Sequence, residues 1–412
     1  MSKNQNYGFA FGVIAILFFI FGFVTWLNGI LIPYLKIACE LNNFESLLVA
    51  FAFYISYFVM AIPSAWVLNK TGFKNGMSLG LFVMAIGAAL FIPAAITRTY
   101  FLFLTGLFVL GTGLSILQTA SNPYVTILGP LESAAKRISI MGICNKIAGV
   151  LSPIILGAIV LKDADQLVER LKTFDSTSKA MELDALAERV IVPYLIITAV
   201  LIVLSLIIYF MNLPNIEQDE ETSAETKEDK PIYAYGNLMW GVITLFLYVG
   251  VEVIAGDTII NYGVYQGIEL SQAKNFTSFT LVAMVIGYIL GIISIPKYIK
   301  QEKALLISGI LSIVFSASAI VTSGYYSVAS IALLGLSNSL MWPAIWPMAI
   351  KGLGRYTKLG SSLLIMAIAG GAILPLVYGR LADSYNPQQA YVLLLPCYAM
   401  VVGYAWKFRI RN

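Results

Sequence analysis

Long apolar runs, each near or above the roughly 20 residues that a helix needs to cross a bilayer core about 30 Å thick, alternate with short polar clusters along the whole chain. Cutting at those clusters predicts twelve spans: 8–35, 45–68, 77–97, 100–128, 138–161, 190–212, 236–262, 277–296, 304–322, 326–350, 359–380 and 388–406. Runs of this length fit helices, because barrel strands need only about 9–11 residues. Between the sixth and seventh spans lies "LPNIEQDEETSAETKEDKPIY", the most polar and acidic stretch. It reads as a linker, residues 213–233, joining a six-helix half at 1–212 to a second at 234–412. The segment 162–189 places Leu167, Leu171, Leu183 and Leu186 at helical spacing, which predicts short amphipathic helices outside the membrane.

Composition strengthens the membrane reading. Of 412 residues, 59% are hydrophobic and 12% charged, and the mean hydropathy is +0.82. A water-soluble chain of this size does not carry such a balance. No short apolar segment with a small-residue cleavage site precedes the first run, which begins near Tyr7 and continues past Leu31 as a mature span. The chain has no histidine, and Cys39, Cys144 and Cys397 lie far apart, so the sequence offers no metal site, disulfide or resident cofactor. A net charge of +4 gives no reason to expect nucleic acid.

An even number of spans puts both termini on one side. That side carries sixteen lysines and arginines and the other nine, so the termini are expected to be cytoplasmic. The lipid bilayer is the expected solvent, and the chain is expected to act as a monomer.

Only Lys146, Glu252 and Asp257 fall deep inside predicted spans. A charge at bilayer depth costs at least about 2.5–3.5 kcal/mol on insertion scales, so it is paired, hydrated or functional. These three are the candidate cation-coupling groups. Lys146 can pair with either acid, as a permanent tie or as a gate made in one state. Glu252 and Asp257 are five residues apart, about 140° around a regular helix, so they share a face only if the helix breaks, and Gly250 and Gly256 suit such a break. In a regular helix Asp257 is the better cavity residue, because Asn261 lies one turn away; the choice between the acids stays open.

Amides and aromatic rings surround these charges. Gln118 and Asn122 are one turn apart before Pro123, Asn338, Trp342 and Trp346 form a stripe at four-residue spacing, Asn28 follows Trp26 closely, and Asn145 precedes Lys146. Amides that donate and accept, with aromatic faces, suit the hydroxyls and C–H faces of a sugar. Each amide serves equally well as a hydrogen bond between helices. The expected substrate-binding set is Asn28, Gln118, Asn122, Asn145, Asn261, Asn338, Trp342 and Trp346.

The halves are weakly similar to each other. Residues 22–34 align with 250–262, 110–123 with 334–347, and the fifth span with the eleventh through Gly149/Gly371, Pro153/Pro375 and Gly157/Gly379, at offsets from 228 to 222. Gly29 then matches Asp257. Such repeats mark transporters built from related halves. The loop "AWVLNKTGFK" also has Gly72 and Lys74 where a facilitator loop signature would place them.

With "LNGILIPYLK" (27–36), "LQTASNPYVTILGP" (117–130), "NKIAGVLSP" (145–153) and "KLGSSLLIMAIAGGAILP" (358–375), the chain resembles the fucose–galactose–glucose cation symporter family of the major facilitator superfamily. It is most similar to the bacterial group described as glucose/galactose or N-acetylglucosamine permeases. The resemblance implies an all-α integral membrane fold of twelve helices in two pseudo-symmetric halves, with a central sugar site and cation-driven uptake. It also implies coupling acids at the positions of Gly29 and Gln118, where this chain has neither, and a sugar-site asparagine at Asn145. The expectation is a symporter of a hexose or amino sugar with H⁺ or Na⁺, in which coupling has moved from the first span to the seventh. An uncoupled facilitator or exporter and a non-transporting sugar sensor are the alternatives. An enzyme is not expected.

Overall fold

The computed structural model describes residues 3–127, 134–211, 231–295, 297–353 and 356–408. The expected linker lies almost wholly outside them. Among the described residues there is no strand, and twelve helical spans cross the molecule: Gly8–Ala38, Leu48–Leu68, Lys70–Ile96, Tyr100–Ser121, Ile140–Val160, Ser176–Phe210, Gly236–Asp257, Leu270–Ser294, Gln301–Val321, Gly324–Ile350, Leu359–Ser384 and Pro387–Lys407. Helices are what an apolar run forms in lipid, where each backbone N–H and C=O must find its partner within the segment.

The outer shell is apolar. Ile196, Val203, Leu206, Phe210, Ile289, Leu290 and Ile293 are all exposed, a pattern stable only against hydrocarbon. At the end that holds the termini, Trp66, Trp240 and Trp406 are also exposed, and the ammonium groups of Lys70 and Lys407 lie 3.9 Å and 4.7 Å from the Trp66 and Trp240 ring centres. Aromatic rings beside lysines at span ends suit a membrane–water boundary. Gly72 turns the chain from the second span into the third with φ 72°, a conformation glycine adopts without strain.

On the opposite face the loops fold into short helices. Ala164–Thr173 and Ser176–Glu188 bury Leu167, Leu183 and Leu186, and Tyr34 donates from its hydroxyl to the Leu186 and Ala187 carbonyls at 2.9 Å and 2.8 Å. Those carbonyls belong to the last turn of a helix, where backbone donors run short, although the Leu186 carbonyl also accepts from the Arg189 N–H at 3.0 Å.

The two halves repeat each other in packing as well as in sequence. Gly111 presses on the Phe53 carbonyl and Gly335 on the Thr280 carbonyl; Gly149 packs on Trp26 and Gly371 on Val253. Both members of each pair sit at matching places in the two halves. Glycine lets the backbones approach where a side chain would hold them apart.

Helix interruptions also fall at related points. The first span breaks at Leu27, between Lys3–Trp26 and Asn28–Ala38, and the seventh at Thr258, between Gly236–Asp257 and Ile259–Tyr265.

A methyl group at Gly335 would overlap the Thr280 carbonyl, whereas one at Gly403 meets nothing within 4 Å. Gly335→Ala is therefore expected to cost about 1–3 kcal/mol and to lower the melting temperature in detergent by several degrees. Gly403→Ala should leave the melting temperature unchanged or slightly raised, because alanine favours the helix. Intrinsic fluorescence on heating reads both.

Candidate functional site

Lys146 on the fifth span reaches Glu252 on the seventh, with Nζ 3.1 Å from Oε1 and side chains 12% and 14% exposed. The bond joins the two halves. Lys146 also lies 4.6 Å from the ring centre of Trp26, a favourable place for a cation over an indole face. Trp26 is itself seated between Gly149 of the fifth span and Gly256 of the seventh. The ammonium is thus fixed by a carboxylate of the opposite half and an aromatic ring of its own.

The helix carrying Glu252 stays regular through Asp257 and bends only at Thr258. Gly256, which the sequence offered as a breaking point, instead accommodates the Trp26 ring. Glu252 and Asp257 therefore point in different directions, about 140° apart. Asp257 is fully buried, and neither of its carboxylate oxygens has a hydrogen-bond partner. Glu252 and Tyr54, on the second span, are within electrostatic range of it.

Around the bend, hydroxyls add donors to backbone carbonyls, including that of Ile254, which also accepts from the Thr258 N–H at 3.1 Å. Thr258 donates to the Ile254 carbonyl at 2.7 Å and meets the Tyr391 hydroxyl at 2.8 Å. Thr277 of the eighth span donates to the Gly256 carbonyl at 2.7 Å. The Thr277 side chain also occupies the space beside Gly29, where an added Cβ would come within 2.8 Å. An acidic side chain at position 29 could not be accommodated unless Thr277 moved.

The remaining predicted residues divide. Asn28 and Asn338 are buried with both amide atoms unpartnered. Asn338 lies beside Tyr398 without completing a hydrogen bond to it. Gln118 donates to the Tyr57 hydroxyl at 3.1 Å, and Asn145 donates to the Phe18 carbonyl at 3.3 Å. Trp342 and Trp346 stack with ring centres 5.5 Å apart, but a break after Asn338 separates the asparagine from their helix. Asn261 lies past the bend, lining a cavity of about 10 Å³ with Asn43, Ser46, Thr258, Tyr262 and Tyr378. The side chain of Asn122 lies outside the described residues.

Tyrosines are what the sequence reading missed. Tyr54, Tyr248, Tyr288 and Tyr398, from four different spans, all lie within electrostatic range of Glu252, and Tyr57 stacks on Tyr54. The chain has 23 tyrosines, so composition alone does not single these out. The three-residue spacing of Tyr54 and Tyr57 was the available signal.

Comparison with known proteins bears on this arrangement. The profile of the Major Facilitator Superfamily matches residues 14–363. A glucose/galactose transporter of Brucella abortus is 36% identical over 406 residues, covering 98% of this chain and 95% of its own. An L-fucose-proton symporter of Escherichia coli is 30% identical, covering 99% and 94%. Among solved structures, the transporter FucP in its outward conformation superposes with a TM-score of 0.72 at 29% identity, over 99% of this chain and 100% of that one.

Removing one partner of the buried ion pair leaves the other charge unbalanced. Lys146→Ala is expected to destabilise the protein by about 2–3 kcal/mol, the lower end because both side chains keep some exposure. Combining Lys146→Met with Glu252→Gln should restore much of the lost melting temperature, since no charge is then stranded. Melting curves of the single and double variants in detergent measure the difference.

Proposed function

The chain belongs to the Major Facilitator Superfamily, and from that membership we propose that it imports a hexose or amino sugar together with a cation, H⁺ or Na⁺, by alternating access. The names of its relatives, a glucose/galactose transporter and an L-fucose-proton symporter, support sugar as the substrate class. The observation that carries the coupling is the Lys146–Glu252 pair across the two halves, with Asp257 buried and unpartnered nearby. Two carboxylates and one ammonium leave the cluster one positive charge short. A single bound cation balances it.

On this reading Asp257 takes up the cation, and Lys146 competes with that cation for the acids as the halves rearrange. An ionised carboxylate without a counter-charge costs several kcal/mol in a low-dielectric interior, so the loaded carrier rearranges with the cation on Asp257, and the empty one returns with Lys146 shared between the acids. Asn28, Gln118, Asn145 and Asn338 supply donors and acceptors for the sugar, and Trp342, Trp346 and the tyrosines of the interior supply faces for its C–H groups. Asn122 and Asn261 belong to the same proposed set. The termini are cytoplasmic, the membrane is the bacterial inner membrane, and the monomer is the working unit.

Uptake by the purified protein in lipid vesicles tests the proposal, with hexoses and amino sugars offered under an inward H⁺ gradient or an inward Na⁺ gradient alone. One gradient should drive accumulation. Asp257→Asn should reduce gradient-driven accumulation by about tenfold or more, a loss of at least about 1.4 kcal/mol of coupling, while sugar exchange at equilibrium continues. If Asp257→Asn and Glu252→Gln both accumulate sugar as the parent does, the relocated coupling is wrong. Equilibration without accumulation under either gradient identifies a facilitator, and binding without flux a sensor.

A further inference from the structure

On the face opposite the termini, two aspartates each grip a short helix of the other half. Asp383, at the end of the eleventh span, accepts from the backbone N–H groups of Asn43 and Phe44 at 3.0 Å and 2.8 Å, and from the Asn43 side chain at 2.7 Å. Asp165, just after the fifth span, accepts from the backbone N–H groups of Leu270 and Ser271 at 2.7 Å and 2.9 Å. In both cases the donors are the first two residues of a four-residue helix, Asn43–Ser46 or Leu270–Ala273. The first N–H groups of a helix have no partner within it, and here the opposite half provides one.

The two contacts are related by the internal repeat. Leu270 and Ser271 follow Asn43 and Phe44 by 227 positions, within the 222–228 offsets that align the halves; Asp165 and Asp383 are 218 apart, outside those offsets, and correspond only in place, one just after the fifth span and the other in the last turn of the matching eleventh. The packing beneath them repeats too. Gly379 lies against Leu47 beside the first short helix, and a Cβ added at Gly157 would come within 3.9 Å of the Lys274 side chain beside the second. Each carboxylate also has a lysine of the opposite half within electrostatic range, Lys36 for Asp383 and Lys274 for Asp165. Burial opposes the charge of Asp165, but the Ser271 and Leu270 N–H groups, the Ser271 hydroxyl and Lys274 outweigh it and hold the carboxyl below the usual carboxylate range.

We propose that Asp165 and Asp383 form a reciprocal double clasp that shuts the transport path on this face, and that both grips must release before the path opens there. The inference rests on the two-half rearrangement proposed above, but not on the identity of the sugar or the cation. Neither aspartate belongs to the interior charge cluster. When the face opens, water can take over both the carboxylates and the helix N–H groups, so the clasp is reversible at modest cost, unlike a bond broken in the interior. Two equivalent grips, one on each side of the pseudo-twofold axis, also resist a partial opening in which one edge parts while the other holds.

The test is a distance measurement across that face on the full-length protein in lipid vesicles. Spin labels are placed at Met181→Cys and Tyr326→Cys, both exposed and on opposite halves, with Cys39, Cys144 and Cys397 replaced. Pulsed dipolar spectroscopy then gives the ratio of open to closed molecules. Asp165→Ala and Asp383→Ala should each raise that ratio about tenfold, as expected for loss of charged hydrogen bonds, and together by more than either alone. Leu270→Pro removes one donor N–H at a first helical position, where proline is tolerated, and should shift the ratio the same way with both carboxylates intact. A double variant with an unchanged ratio overturns the proposal. If the double variant does not fold, an unchanged ratio in Leu270→Pro overturns it instead. Because no sugar is present, failure of the clasp is distinguishable from failure of the sugar assignment, which only the uptake assay reads.

Discussion

A charge at bilayer depth has to be balanced where it sits, and this demand organises the centre of the protein. Lys146 comes from one half and Glu252 from the other, so the cheapest local balance is also a bond between the halves. The Trp26 ring under Lys146, held between Gly149 and Gly256, fixes where the ammonium can go. Glycine on both flanks is what lets the indole fit, and an indole that fits is what lets the first span approach both the fifth and the seventh. Packing and electrostatics are therefore set by the same few residues, and neither can be altered alone.

The repeat explains why the halves can separate without falling apart. Within each half, backbones approach through matching glycines, Gly111 in one and Gly335 in the other, while Gly149 and Gly371 make room for the Trp26 and Val253 side chains. Close backbone packing gains dispersion contacts that polar switching does not touch. Between the halves the contacts include an ion pair and hydrogen bonds whose partners can be exchanged. The result is two bodies, each internally rigid, joined by interactions that have alternatives.

Much of this is legible in the sequence. Twelve spans follow from apolar runs because lipid leaves the backbone no option but the helix, and the three deep charges stand out against an uncharged background. The choice of partner for Lys146 was not legible, since Glu252 and Asp257 are both reachable along the chain and only the rotation of the seventh span decides between them. The bend fell at Thr258 and not at Gly256 because that glycine is used for contact with Trp26, a tertiary demand that local propensity does not record. Asn261 was expected beside Asp257 by helical spacing, and past the same bend it lines a small cavity with Asn43, Thr258 and Tyr378. The aspartate grips were invisible for another reason. Asp165 and Asp383 sit in polar segments where one carboxylate looks like any other, and their partners are backbone groups that no side-chain pattern announces.

The two kinds of inter-half bond differ in what releases them, and the difference assigns them different work on the proposed transport cycle. The aspartate grips lie where water can replace either partner, so thermal motion is enough to open them and nothing need bind. The Lys146–Glu252 pair lies where water is scarce, and separating it leaves two charges with no substitute unless another cation arrives or the ammonium finds a second carboxylate. Asp257, buried and without a partner five residues further along the same helix, is the acid positioned to accept that cation. A clasp at the surface can thus set which face is shut at rest, while the interior cluster requires that Asp257 be balanced, by the bound ion on the loaded stroke or by Lys146 on the empty return. Coupling on the proposed cycle needs both, because a carrier whose surface bonds alone controlled the switch would carry sugar across whether or not the ion was present.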